Sequence, residues 1–385
     1  MKRICVITSS RADYGLLKPL LEEIEKSKVL SLQLVVSGTH LSSIHGMTVK
    51  EIERDNFKID AKVAVVQKTD DVSDICKSIS RGIEGFAEVF EMLSPDMLLI
   101  LGDRYEILSA AIAATIANLP TAHLHGGEVT MGAYDEVFRH AITKMSHLHF
   151  VAAKEYEKRV IQLGENPKTV FRVGGLGTDS IRRTELFSKQ ELSERLGIEF
   201  DRPMLLVTYH PVTLYKQKNS ADLEALLKAL DNFTGCKIIF TIPNADTDGL
   251  KIAQKIRSYV NNNKNAYFIP SLGQKKYFSC LSYFDALIGN SSSGLLEAPS
   301  FKIPAINIGP RQKGRLKADS VIDCEANEKE IRMAIEKGLS NDFRIILKKV
   351  KNPYGEGGAS GKILKILENY DFSQLSVKGF FDLNF

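Results

Sequence analysis

The sequence predicts an α/β protein built as two doubly wound parallel-sheet domains. Three observations carry that prediction. Short β-branched apolar runs alternate with helical patterns along most of the chain. The runs are nearly continuous in apolar residues, as strands buried on both faces are. The alternation pauses and restarts near the middle of 385 residues, a length too great for one ordinary core.

In the first half, "RICVIT" (3–8), "LQLVVSG" (32–38), "KVAVVQ" (62–67), "DMLLILGD" (96–103), "TAHLH" (121–125) and "LHFVAA" (148–153) read as strands. Between them, 16–27, 71–93, 104–119 and 135–146 repeat apolar residues at three- and four-residue spacing, as Leu16, Leu17, Leu20, Leu21 and Ile24 do. On the last of these helices Val137, Phe138, Ala141, Ile142 and Met145 form the expected core stripe, with Glu136, Arg139, His140 and Thr143 on other faces. The second half restarts with strands at 203–211, 236–243, 266–270, 286–292, 304–309 and 320–325 and helices at 220–233 and 328–339. The break falls within Gly174 to Arg202, glycine-bearing, charged and read as strand-free. This gives a first domain over 1–175, a second over 176–357, and a final helix and tail over 358–385 expected to pack back on the first.

Composition narrows the function. Apolar residues at 44% and charged residues at 25% suit a water-soluble globular chain. No apolar run nears the roughly 20 residues of a membrane span, so neither a membrane nor a leader is expected, and the expected location is the cytoplasm. A net charge of +4, with lysines spread along the chain, argues against nucleic acid. Five scattered cysteines without a CxxC pair suggest neither a disulfide framework nor a metal site.

Ligands of open parallel sheets bind outside the carboxyl ends of the strands, so motifs there are expected to carry chemistry, in a cleft between the domains. "TSSRADYG" offers small residues, a helix start and Arg11 to an anion, although such turns also use Ser and Asp for capping. It lacks GxGxxG, which removes support for a nicotinamide enzyme. "LILGDRYE" places Asp103 and Arg104 after a strand, and "HLHGGEVTMGAYDEVFRH" follows the next strand with His125, Glu128, Asp135, Glu136 and Arg139 around glycines. Clustered carboxylates raise one another's pKa, which lets one site hold a proton donor and an acceptor near neutral pH. In the second half His210, Asn244, the run Ser291, Ser292, Ser293, Gly294, then Glu297 and Arg311, stand at successive strand ends. Their hydroxyls, amides and cations suit a nucleoside diphosphate, with Glu297 placed for ribose hydroxyls.

Taken together, "SRADYG", "LGDRYE", "HLHGGE", "YDEVFRHAITKMSHLHF", "YHPVT", "IGNSSSG" and "NIGPRQKGR" resemble the hydrolysing UDP-N-acetylglucosamine 2-epimerases of the bacterial sialic-acid-pathway type, over almost the whole chain. The resemblance implies two Rossmann-like domains in a glycosyltransferase-B-like fold and conversion of UDP-GlcNAc and water to N-acetylmannosamine and UDP. It implies no cofactor, and a homo-oligomer, dimer or tetramer. It places family carboxylates on Asp103 and on Asp135 with Glu136 beside it, the HP histidine on His210, and nucleotide contacts on Arg11, Ser291, Ser292, Glu297 and Arg311. Several members read H-x-E-G-G-E where this chain has His125, which leaves the acid's task to Glu128 or to His125 itself.

The chemistry expected is elimination of UDP to a 2-acetamidoglucal, with one of Asp103, Glu128 and Asp135 as base, followed by hydration. A UDP-N,N'-diacetylbacillosamine hydrolase/epimerase would use the same motifs and stands as the alternative. A glycosyltransferase on the same fold is more remote.

Overall fold

The computed structural model describes residues 1–43, 46–65, 72–129, 134–210, 219–241, 249–270, 272–375 and 377–383. The chain forms two units, Met1–Ser180 with Tyr354–Phe385, and Ile181–Pro353. Unit 1 runs β1 (Lys2–Thr8), α1 (Arg11–Lys26), β2 (Leu30–Ser37), α2 (Val49–Arg54), β3 (Ile59–Val63), α3 (Val72–Leu93), β4 (Met97–Leu101), α4 (Tyr105–Ile116), β5 (Thr121–Leu124), α5 (Asp135–Met145), β6 (Leu148–Val151), α6 (Lys154–Gln162) and β7 (Val170–Arg172). The chain passes through α7 (Leu176–Arg183) into α8 (Lys189–Leu196), β8 (Met204–Thr208), α9 (Asn219–Leu230), β9 (Lys237–Thr241), α10 (Gly249–Asn261) and β10 (Ala266–Ile269). It continues as α11 (Gly273–Tyr283), β11 (Ala286–Gly289), α12 (Ser293–Leu296), α13 (Ala298–Phe301), β12 (Ala305–Ile308), β13 (Val321–Cys324), α14 (Glu328–Leu339) and α15 (Asn341–Lys349), before α16 (Ala359–Asn369) returns to unit 1.

Both sheets are parallel, in the orders β3-β2-β1-β4-β5-β6-β7 and β10-β9-β8-β11-β12-β13. Alternation along β1 explains the continuous apolar runs: Ile4 and Val6 enter one core, Cys5 and Ile7 the other. The first core takes Leu17, Leu20, Leu21 and Ile24 of α1 with Ile363 and Leu367 of α16; the second takes Phe86 of α3 and Ala110 and Ala114 of α4. Each such leucine or isoleucine stabilises the unit by roughly 1.5–3 kcal/mol. Unit 2 repeats the device, with Leu205 and Val207 in one core and Met204 and Leu206 in the other. Strand order reverses at β1/β4 and at β8/β11, so the loops leaving those strands diverge and open a crevice in each unit. Among the described residues no helix is long and apolar enough to cross a membrane.

Some elements differ from expectation. The third strand is Ile59–Val63 rather than 62–67, because its pairing with β2 starts at Ile59 and shifts register between Leu34 and Val35; 66–71 lie outside the described residues. The three-residue edge strand β7 is too short for a periodicity signal. The stretch 174–202 holds α7 and α8; α8 starts on a capping box between Ser188 and Glu191 and stops at Gly197, with φ 65°. The α5 stripe is also corrected: Val137 is 67% exposed, whereas Arg139 and Thr143 are buried with Ile142. Polar partners from β4, β5 and their loops draw this face inward.

One buried carboxylate ties the two stretches of unit 1 together. Asp179, 1% exposed, accepts the amides of Ala359 at 2.8 Å and Ser360 at 2.6 Å, in the first turn of α16, where amides lack helical partners. Asp179→Ala is expected to lower stability by about 2 kcal/mol. An unshifted urea midpoint would remove this role.

Candidate active site

The crevice of unit 1 is built on two strand ends. β4 is followed by Gly102 and Asp103; β5 ends at His123 and Leu124 and is followed by His125, Gly126, Gly127 and Glu128 before α5. His123 is buried, its Nε2–H donating to Gly102 O at 2.8 Å and its Nδ1 accepting from the Thr143 hydroxyl at 3.1 Å. Burial holds its pKa down at about 3, so it is a neutral strut between β4, β5 and α5. The loop that follows is tightly held. His125 adopts φ 64°, Gly127 O accepts from the Arg159 guanidinium, and a Cβ on Gly127 would lie 2.6 Å from Tyr156 O.

Arg139, 5% exposed, is the centre of charge. Its guanidinium pairs with Asp103, lies 3.5 Å from Glu128 Oε2 and reaches His125 O at 3.5 Å. His125 Nδ1 stands 2.8 Å from Glu128 Oε1, while its Nε2 accepts the Leu176 amide at 3.3 Å, which fixes the Nδ1–H tautomer. Asp135, at the start of α5, is pushed up to about 6 by burial and then by Asp103, against the pull of Arg104 and Arg139. Two carboxylates thus share a buried cation, and a third retains its proton into the range where acids donate. Arg104 forks onto the buried Glu106 at 2.9 and 3.1 Å. Glu136 lies toward His140 at 3.3 Å, one turn along α5.

The turn after β1 is already filled. Asp13 accepts the Ser9 and Ser10 amides, at 3.0 Å each, and the Ser9 hydroxyl at 2.8 Å. Burial raises its pKa, but hydrogen bonds from His40, Thr8, Ser9 and Ser10 outweigh this and hold it below the usual range, as a carboxylate. The Ser9 and Ser10 amides at this helix start are therefore taken by the chain's own carboxylate, the capping use weighed for this turn. Arg11 faces outward beside Glu51 at 3.3 Å.

Unit 2 brings His210 to the serine loop. Asn290, immediately after β11, accepts the His210 amide at 2.7 Å and donates to its carbonyl at 2.8 Å. The Asn290 carbonyl in turn accepts Arg311 at 3.1 Å and Gln312 at 2.9 Å. Burial, then Arg311, lowers His210 to about 4, so its imidazole is neutral and can donate a hydrogen bond without bringing a charge. Ser291 Oγ accepts the Ser293 amide at 3.4 Å, and Tyr277 donates to Ser293 Oγ at 2.6 Å. Ser292 leads into α12, and Gly294 lets that helix lie close to β12, where an added Cβ would stand 3.3 Å from Ala305. Burial raises Glu297, whose Oε2 has no partner among the described residues. Asn244 lies outside the described residues.

Each unit therefore gathers its own group: Asp103, Arg104, His125, Glu128, Asp135 and Arg139 in unit 1; His210, Ser291, Ser293, Glu297 and Arg311 in unit 2. Sequence reading missed His123, Arg159, Tyr277 and Asn290, which hold the others in place. A polar residue inside an apolar strand was the signal for His123, and a polar residue at the strand end the signal for Asn290. Among the described residues no cluster of His, Cys, Asp and Glu is arranged to hold a metal ion.

Comparison with known proteins identifies the family. The family model described as UDP-N-acetylglucosamine 2-epimerase matches residues 22–368. The chain is 43% identical, over 99% of each chain, to a Campylobacter jejuni protein named GDP/UDP-N,N'-diacetylbacillosamine 2-epimerase (hydrolyzing). It is 39% identical to the Escherichia coli polysialic acid biosynthesis protein P7, over 100% of this chain and 98% of the relative. The solved structure of the Methanocaldococcus jannaschii UDP-GlcNAc 2-epimerase in complex with UDP-GlcNAc and UDP is 17% identical with TM-score 0.77, covering 95% of this chain and 99% of that one, and shows the shared fold. A family model that spans most of the chain, and relatives near 40% identity over their full length, place two parallel-sheet units in one lineage: the chain belongs to the UDP-N-acetylglucosamine 2-epimerase family.

Proposed function

We propose that the chain is a hydrolysing 2-epimerase whose substrate is nucleoside-diphosphate-linked N,N'-diacetylbacillosamine. The observation that carries the chemistry is the differentiated acid group around Arg139: Asp103 and Glu128 on the guanidinium, and Asp135 at about 6. Such a pair of environments serves a reaction that takes a proton from one carbon and later returns one. The sugar is argued from the name of the Campylobacter jejuni relative. UDP-GlcNAc is the second reading, favoured by the relative named for polysialic acid biosynthesis.

In this reading the Asp103 carboxylate removes the C2 proton. The C–H electrons form the C1–C2 double bond, and the C1–O bond breaks with its pair leaving on the diphosphate. Neutral His210, Arg311 and the serine loop of unit 2 are the groups proposed for the nucleotide. Asp135 then gives a proton to C2 from the opposite face, which inverts that centre, as water adds its oxygen to C1; the proton that the water loses passes to the Asp135 carboxylate and restores the acid. Arg139 holds the acids at fixed separation.

The test is direct. UDP- and GDP-diacetylbacillosamine and UDP-GlcNAc are incubated with the purified chain in deuterium oxide, and products are followed by NMR. Release of nucleoside diphosphate with deuterium at C2 is expected, fastest from a diacetylbacillosamine substrate. Retained protium at C2, or an epimer still bearing its nucleotide, would sink the reading.

The pH dependence has a definite sign. Asp135 is protonated below about 6 and ionised above it. As the donor it loses its proton as pH rises, so kcat/KM is expected to fall through that window. Asp135→Asn should be slower by about 100-fold and lose this limb. A wild-type rate that climbs through the window would make Asp135 the base instead.

A further inference from the structure

A second cluster of buried charge in unit 1 has no part in this chemistry. Glu165, 3% exposed, meets Lys144 at 2.7 Å, His149 Nε2 at 2.8 Å and Lys378 of the C-terminal tail at 2.7 Å. Burial raises Glu165, but its hydrogen bonds with His149, Lys144 and Lys378 outweigh this and hold it at about 2, while burial keeps His149 below its usual range and therefore neutral. With His149 neutral, two ammonium groups, Lys144 and Lys378, face one carboxylate. A second, largely buried ammonium needs another reason to be there.

Its other bonds supply one. Lys378 Nζ donates to Thr143 O at 3.2 Å and to Ser146 O, carbonyls at the end of α5, where a cation also suits the helix dipole. The tail is seated beside this contact: Phe381 N donates to Gly164 O at 2.9 Å, and the Phe380 ring lies 4.8 Å from the Lys144 ammonium. Thr143 pairs with His123, and His123 grips Gly102 O, one residue before Asp103. The same helix carries Asp135 and Arg139.

We propose that Lys378 is a positioning residue for the acid group, anchoring the end of α5 so that Asp135, Arg139 and, through Thr143 and His123, Asp103 keep their spacing. The inference rests on the hydrolysing-epimerase reading. General acid–base groups must be held to fractions of an ångström, so a slack helix end lowers turnover before it loosens nucleotide binding. Nucleotide affinity, assigned to unit 2, is the independent reporter.

The experiment compares full-length wild type, Lys378→Met and Lys378→Arg in kcat, KM and UDP affinity by calorimetry. Lys378→Met is expected to lose tenfold or more in kcat, with KM and UDP affinity within about twofold, and Lys378→Arg to recover most of the loss. Unimpaired turnover in Lys378→Met, a fall in kcat matched by UDP affinity, or an Arg variant as slow as the Met one overturns the inference alone. A wild-type chain that releases no nucleoside diphosphate from any sugar nucleotide overturns the function reading and this inference together.

Discussion

Asp103→Asn is expected to lower kcat by about 1000-fold while leaving UDP affinity within about twofold. The substitution preserves shape and removes the charge that the reaction uses. Folding should survive, because Arg139 keeps Glu128 and the His125 carbonyl as partners. UDP affinity should hold, because the groups proposed for the nucleotide belong to Ile181–Pro353, whereas Asp103 belongs to the other unit. Single-turnover release of UDP is the measurement. A variant retaining a tenth of wild-type activity would move the base to Glu128 or His125.

Gly289→Ala is expected to destabilise unit 2 by about 3–5 kcal/mol. An added Cβ would stand 2.0 Å from Thr208 O, and the residue has φ 137°. The overlap is with the backbone of the neighbouring strand, so no side-chain rotation relieves it. Because Asn290 follows directly and holds both backbone polar groups of His210, activity should fall with stability. Thermal melting read alongside turnover checks both, and an unchanged melting temperature would show that β8 and β11 can part there without loss.

The parallel sheets were legible because their strands are buried on both faces and so read as apolar runs without alternation. Helices α1, α3, α4 and α14 were legible from their spacing. What escaped was set by tertiary context. Val137 lies outside and Arg139 inside α5 because Asp103 and Glu128 wait on the inner side, which periodicity along one helix does not contain. The acids and the serine loop were readable from their places after strands. A raised pKa within the acid group was expected from clustering, but not that it falls on Asp135, where burial adds to the effect of Asp103. Asp13 is the opposite case: its capping role was weighed, and only the geometry shows its carboxylate occupying the amides of the turn.

Unit 1 is assembled from two stretches of chain and unit 2 from one. On the ribosome, Ile181–Pro353 is therefore complete before the other unit has its last helix. Until α16 emerges, Leu17, Leu20 and Leu21 of α1 lack their cover from Ile363 and Leu367. The nascent protein then exposes an apolar strip late in translation, the period in which it most needs a chaperone. Synthesis stalled near residue 353 would leave a finished Ile181–Pro353 unit joined to an unfinished one.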